Sequence, residues 1–94
     1  MSEPLRYQVD FSPRFYRVLK SLKKRKPSLM LPLLSGIAKI VGQPLLGKPL
    51  RNILRNQRGL HIKGPFVLLY EIIGMNIILL DFDHHDKIYK KRSK

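Results

Sequence analysis

Three histidines are the residues best suited to chemistry in this chain: His61 and the adjacent pair His84 and His85. Histidine is the side chain whose ordinary titration lies closest to neutral pH, so it can take or give a proton under working conditions. Asp86 follows the pair, and a His-His-Asp run invites a metal reading. Neighbouring residues at a strand end tend to point to opposite faces, however, which makes one ion hard to share, so no metal and no cofactor is expected. The chain has no cysteine, hence no thiolate metal site and no disulfide framework. Glycine-rich phosphate loops, nucleophile elbows and zinc-ligand spacings are also absent.

Charge is the strongest compositional signal. Nineteen Lys and Arg stand against six acids among 94 residues, a formal net charge of +13. Between Asp10 and Glu71 there is no acid at all, while thirteen basic residues fall in that stretch. Such self-repulsion opposes folding and points to an anionic partner. Nucleic acid leads, an acidic protein comes second, and a membrane surface is a distant third. The N-terminal MSEPLRYQVD has no charged and apolar leader pattern, and the apolar stretch from Leu29 to Val41 is broken by Pro32, Gly36 and Lys39. A soluble, cytoplasmic protein without a membrane partner is expected, folded as one domain over residues 1–94.

The elements that must position the histidines can be read from periodicity. Leu5, Tyr7, Val9 and Phe11 alternate with polar residues, as in a half-buried strand. Ser12-Pro13 then reads as an N-cap and first helical residue, followed by Phe15, Val18, Leu19 and Leu22 at helical spacing. This basic-faced helix ends in Lys23-Lys24-Arg25-Lys26 before Pro27. Ser28 is placed to cap a second, largely apolar helix carrying Met30, Leu33, Leu34, Ile37, Ile40 and Val41, with Pro32 in its first turn or at a kink. Residues 45–59 read as a basic connection with room for a short helical turn. From Leu60 the pattern is strand, a turn at Gly64-Pro65, a central strand from Phe66 to Ile73, a hairpin turn at Gly74-Met75-Asn76, and a buried strand from Ile77 to Phe82. Asp83 to Tyr89 leaves the sheet ahead of a basic tail. The expected class is α+β, two helices on one face of a mostly antiparallel four-stranded sheet in the order β-α-α-β-β-β.

Four segments carry a family resemblance in this order. Val9-Asp10-Phe11-Ser12-Pro13-Arg14-Phe15 and Gly47-Lys48-Pro49-Leu50-Arg51 come first, then His61-Ile62-Lys63-Gly64-Pro65-Phe66-Val67-Leu68-Leu69-Tyr70-Glu71-Ile72, then Leu79 to Tyr89 with a His followed four residues on by an aromatic. Together they resemble the RelE/ParE superfamily of toxins from type II toxin–antitoxin systems, most closely its YafQ-like branch. The resemblance implies a ribosome-dependent endoribonuclease, an mRNA interferase that cuts messenger in the ribosomal A site. The messenger's own 2′-hydroxyl attacks the neighbouring phosphate, so no metal is needed. The protein must supply a base, positive charge for the phosphorane-like transition state, and an acid for the departing 5′-oxygen.

By resemblance, His85 occupies the catalytic histidine position, as acid or base. His61 matches the hairpin histidine, either a second proton carrier or a substrate positioner, and His84 is read as structural. Tyr89 matches the terminal aromatic that stacks on or orients the cleaved nucleotide, and Phe66 is either a second RNA-facing aromatic or a core residue. Lys48 is read as a phosphate contact, and Arg51, Arg55, Arg58 and Lys63 as candidates for holding RNA backbone. The cluster from Lys20 to Lys26 is expected to touch ribosomal RNA broadly. The implied partners are mRNA on the ribosome, its rRNA, and a small acidic antitoxin. Three positions depart from the family pattern: Val67 stands where many relatives have Arg, Pro65 where the YafQ-like branch has an acid, and Asp81 where that branch has Arg. The alternatives are a ParE-like DNA gyrase inhibitor that acts by binding alone, and a non-catalytic basic RNA-binding protein on the same scaffold.

Overall fold

A computed structural model describes residues 7–50 and 56–92. The chain runs β1 (Gln8–Phe11), α1 (Pro13–Arg25), α2 (Met30–Gly42), β2 (Lys48–Pro49), β3 (Gln57–Lys63), β4 (Phe66–Ile73), β5 (Asn76–His84) and α3 (His85–Arg92). The strands form one sheet in the order β1-β5-β4-β3-β2. Neighbours from β2 to β5 pair antiparallel, while β1 joins β5 in parallel, Val9 beside Ile77 and Phe11 beside Leu79. The expected α+β class holds, with two N-terminal helices on one face of a mostly antiparallel sheet.

Helix α1 starts where its sequence says it should. The Ser12 hydroxyl accepts from the Phe15 N–H at 3.1 Å, Pro13 takes the first turn, and Lys23, Lys24 and Arg25 fill the last. Phe15 and Leu22 point inward, against Leu33 and Ile40 of α2 and Leu68, Tyr70, Ile77, Leu79 and Phe82 of the sheet. Each of the fully buried side chains stabilises the fold by about 1.5–3 kcal/mol relative to exposure. Pro32 lies in the first turn of α2, where its missing N–H breaks no intrahelical bond. Ser28 does not cap that helix. It sits inside a short 3₁₀ turn, Pro27–Leu29, because Pro27 and the following residues close a tighter turn before the α-helix begins. Gly36 lets α2 come down on β3, since a Cβ there would collide with the Ile62 side chain.

Three differences from the sequence reading bear on function. The basic connection contains a 3₁₀ turn, Pro44–Leu46, and a fifth strand of two residues, β2, on the open side of β3. The strand before the hairpin starts at Gln57, earlier than its apolar pattern, because Gln57 and Arg58 pair with Glu71 and Tyr70. Most important, the segment after β5 is a helix. Eight residues are too few to hold helical structure alone. Helix α3 is fixed by Ile88, fully buried with Val67 and Leu69 on the sheet face opposite α1 and α2, and by the His85 N–H donating to the Pro65 carbonyl at 2.7 Å.

Candidate active site

The face under α3 carries the candidate chemistry. Val67 and Leu69 point to it, so their cross-strand partners His61 and Gly59 do as well. The register continues from Val67 to Asp83 on β5, giving one row His61–Val67–Asp83 across three strands. At ordinary strand spacing that row is about 10 Å wide. His85 follows Asp83 by two residues and opens α3. One turn later comes Tyr89, its ring centroid 6.4 Å from that of His85. The Tyr89 hydroxyl lies over β3, where a Cβ on Gly59 would meet it at 3.3 Å. Gly59 thus allows the α3 tyrosine to reach the strand that carries the exposed His61.

His84 is the residue that shapes the entry to α3. Its Nδ1 accepts from the Asp86 backbone N–H at 3.2 Å, the geometry of an N-cap side chain on the second helical N–H. The Asp86 carboxylate is 3.7 Å from the same nitrogen and 3.0 Å from Nδ1 of His85. The two imidazoles face one another, centroids 4.9 Å apart and 30° from coplanar. The expectation that adjacent histidines diverge is therefore overturned. It assumed that both belong to a strand, whereas the backbone changes from strand at His84 to helix at His85 and swings the second ring back beside the first. One ligand atom from each of His84, His85 and Asp86 lies within 4.8 Å of the others.

The remaining basic candidates divide. Lys48 is exposed on β2 and Lys63 exposed at the β3–β4 turn. Arg58 is half-buried, and one guanidinium nitrogen is engaged, donating to the carbonyls of Gly47 at 2.7 Å and Leu45 at 3.3 Å. Arg51 and Arg55 lie outside the described residues. Phe66 is not brought together with His61 and Tyr89. It faces the other side of the sheet, 5.7 Å from the Phe82 ring and beneath the Lys26 ammonium at 4.6 Å. The exposed cations of α1 line that opposite face, where a cleft of about 270 Å³ opens between Arg14, Arg25, Lys26, Phe66 and Phe82.

Two arrangements had no counterpart in the sequence reading. Tyr70 is buried, donates to the Pro44 carbonyl at 2.7 Å and accepts from the Gly47 N–H at 2.9 Å. Burial pushes its phenol above the usual tyrosine range, against the Gly47 hydrogen bond and the nearby Arg58 charge. With Arg58 it clasps the 44–47 loop that delivers Lys48. Asp81, where the YafQ-like pattern has Arg, is 1% exposed and pairs with the Arg14 Nε at 3.1 Å. The register shift between Leu69 and Tyr70 breaks the alternation of β5, so that Leu80 packs under α3 while Asp81 turns to α1.

Comparison with known proteins fits this architecture. The sequence profile described as ParE toxin of type II toxin–antitoxin system, parDE, matches residues 9–89. A Methanocaldococcus jannaschii protein designated RelE4 is 34% identical over 88 residues, covering 92% of this chain and 94% of its own. A chain of the RelBE2 toxin–antitoxin complex of Mycobacterium tuberculosis superposes with a TM-score of 0.71 at 27% identity, over 85% of this chain and 99% of that one. YafQ from E. coli shares the fold with a TM-score of 0.74 at 16% identity, over 88% and 98% of the two chains. Among the described residues no helix is long and apolar enough to cross a membrane. A match running from β1 to Tyr89, together with the shared fold, makes this chain a member of the RelE/ParE superfamily of type II toxin–antitoxin toxins.

Proposed function

We propose that this toxin is a ribosome-dependent endoribonuclease that cleaves messenger RNA in the A site. The observation that carries the reading is the placement of His85 and Tyr89 one turn apart on α3, beside the sheet face that carries His61. One histidine takes the proton of the messenger's 2′-hydroxyl, and the 2′-oxygen attacks the adjacent phosphorus. The P–O5′ bond breaks as the leaving oxygen receives a proton from the second group, giving a 2′,3′-cyclic phosphate and a free 5′-hydroxyl. His85 serves as acid or base, and His61 as the second proton carrier or as a positioner of the substrate. Tyr89 stacks on the cleaved nucleotide. Lys48, exposed on β2 beside Gly59, neutralises phosphate oxygens as charge builds, and Lys63, Arg51, Arg55 and Arg58 are assigned to holding RNA backbone on the family resemblance. The cationic outer side of α1 contacts ribosomal RNA without sequence preference.

A cognate antitoxin completes the proposal. The RelBE2 structure is a toxin–antitoxin complex, and a net charge of +13 selects an acidic partner for this chain. The competing reading, gyrase inhibition by binding alone, draws on the match to the ParE description. Cleavage of a defined messenger on programmed ribosomes separates the two. A 2′-deoxy substitution at the cut nucleotide abolishes cleavage if the messenger supplies the nucleophile. Intact messenger with normal sugars, combined with gyrase inhibition that survives loss of His61 and His85, would replace the nuclease with the gyrase poison.

A further inference from the structure

The geometry points to a second use of the β5–α3 junction: we propose that His84, His85 and Asp86 form a site for a late divalent transition metal of the zinc class, whose occupancy silences the toxin. Imidazole nitrogen and carboxylate oxygen are the ligand types such ions take, at about 2.0–2.2 Å. Two ligands at that distance and a tetrahedral angle are about 3.4 Å apart. The two oxygens of the Asp86 carboxylate lie either side of this value, Oδ1 at 3.0 Å from Nδ1 of His85 and Oδ2 at 3.7 Å from Nδ1 of His84. One donor atom from each of the three residues lies within 4.8 Å of the others, and both imidazoles are half-exposed, so burial locks neither ring in place.

The donors are prepared for an ion. Nδ1 of His84 already accepts a backbone N–H, so it presents a lone pair rather than a proton at this position. The metal replaces that 3.2 Å hydrogen bond and takes over its task of fixing the start of α3. Three protein ligands leave a fourth position for water, in an exposed setting that an ion reaches without opening the fold. Because His85 is one of the three, a bound ion occupies the nitrogen lone pair and pins the ring that the nuclease mechanism needs free. This inhibitory consequence rests on the proposed function; the binding site itself does not.

The test uses the untagged full chain, titrated calorimetrically with zinc chloride. Wild type is compared with His84→Asn, which keeps an N-cap acceptor while removing the imidazole, and with His61→Ala as a control away from the cluster. Saturable binding of one ion per chain is expected, weakened at least about tenfold in His84→Asn, since even outer-shell partners are worth about 10–100-fold in affinity, and unchanged in His61→Ala. No saturable binding, or equal affinity in wild type and His84→Asn, would overturn the site. Messenger cleavage is then followed at saturating zinc, with restoration by chelator, and inhibition is expected in wild type but not in His84→Asn at the same zinc concentration. Zinc that binds without slowing an active wild type would overturn the silencing step. Absence of cleavage in every metal-free protein would count against the nuclease reading alone, leaving the calorimetric result to decide the site.

Discussion

The rings of His85 and Tyr89 stand 6.4 Å apart, one turn from each other on a helix held down by the buried side chain of Ile88 between them. Ile88 faces the sheet with Val67 and Leu69, which leaves the two rings at the margin of that contact, both half-buried. Replacing Val67 by Arg would therefore undo the seat of α3. In this chain the position serves packing, and under the proposed mechanism positive charge has to come from elsewhere, with Lys48, exposed on β2 beside Gly59, a described candidate on this face.

Tyr89 tests the stacking role. Tyr89→Phe keeps the ring and is expected to retain most cleavage, whereas Tyr89→Ala is expected to lose about 1–3 kcal/mol of nucleotide binding. Single-turnover cleavage of the programmed messenger at several toxin concentrations reads the difference. Equal losses in both variants would move the function of Tyr89 from its ring to its hydroxyl over Gly59.

The Tyr70 clasp makes stability pH-dependent. Its pKa is raised in the folded state, so its contribution is fully present below the ordinary phenol value, near 10. That contribution is lost as pH rises through the higher folded value, because only the unfolded chain gives up the proton at first. Urea midpoints are expected to fall more steeply above about pH 10 in wild type than in Tyr70→Phe. Parallel curves would contradict the assignment.

Gly47 is required by the same clasp. A Cβ at this position would lie 2.7 Å from the Tyr70 hydroxyl oxygen and 2.9 Å from its ring. Gly47→Ala is expected to destabilise the fold by about 1–3 kcal/mol through overpacking, and Gly42→Ala, with open space around it, to be tolerated. Chemical denaturation of both variants checks the contrast.

Arg14 holds a buried carboxylate from a half-exposed position. Arg14→Ala is expected to cost up to about 1.5–3 kcal/mol, the range for hydrogen bonds to charged groups, with solvent screening favouring the lower end. A double-mutant cycle with Asp81→Asn would show coupling between the two residues. Additive effects would place the role of Arg14 in packing alone.

Much of this architecture is legible in the sequence because local signals and tertiary packing agree. Ser12-Pro13 caps α1, Gly64-Pro65 and Gly74-Met75 turn the hairpins, and the apolar runs from Phe66 and Ile77 form the central strands. The family segments also lead to His61, His85 and Tyr89. Hidden from the sequence are the features that depend on distant partners. Helix α3 has little amphipathic signal of its own and owes its existence to Ile88 meeting Val67 and Leu69. The 3₁₀ turn at Pro27–Leu29 displaces Ser28 from the cap, and the β5 bulge sends Asp81 to Arg14. The convergence of His84 with His85 follows from a strand-to-helix change between them, which period-two reasoning excludes.

The central claim is tested most directly by single-turnover cleavage of a defined A-site codon on programmed ribosomes, in chelator, by wild type and His85→Ala. Wild type is expected to produce 2′,3′-cyclic phosphate ends, and His85→Ala to be slower by about 10²–10⁴-fold, the range for loss of a positioned acid or base. Cleavage by folded His85→Ala at the wild-type rate would contradict the assignment of proton transfer to α3.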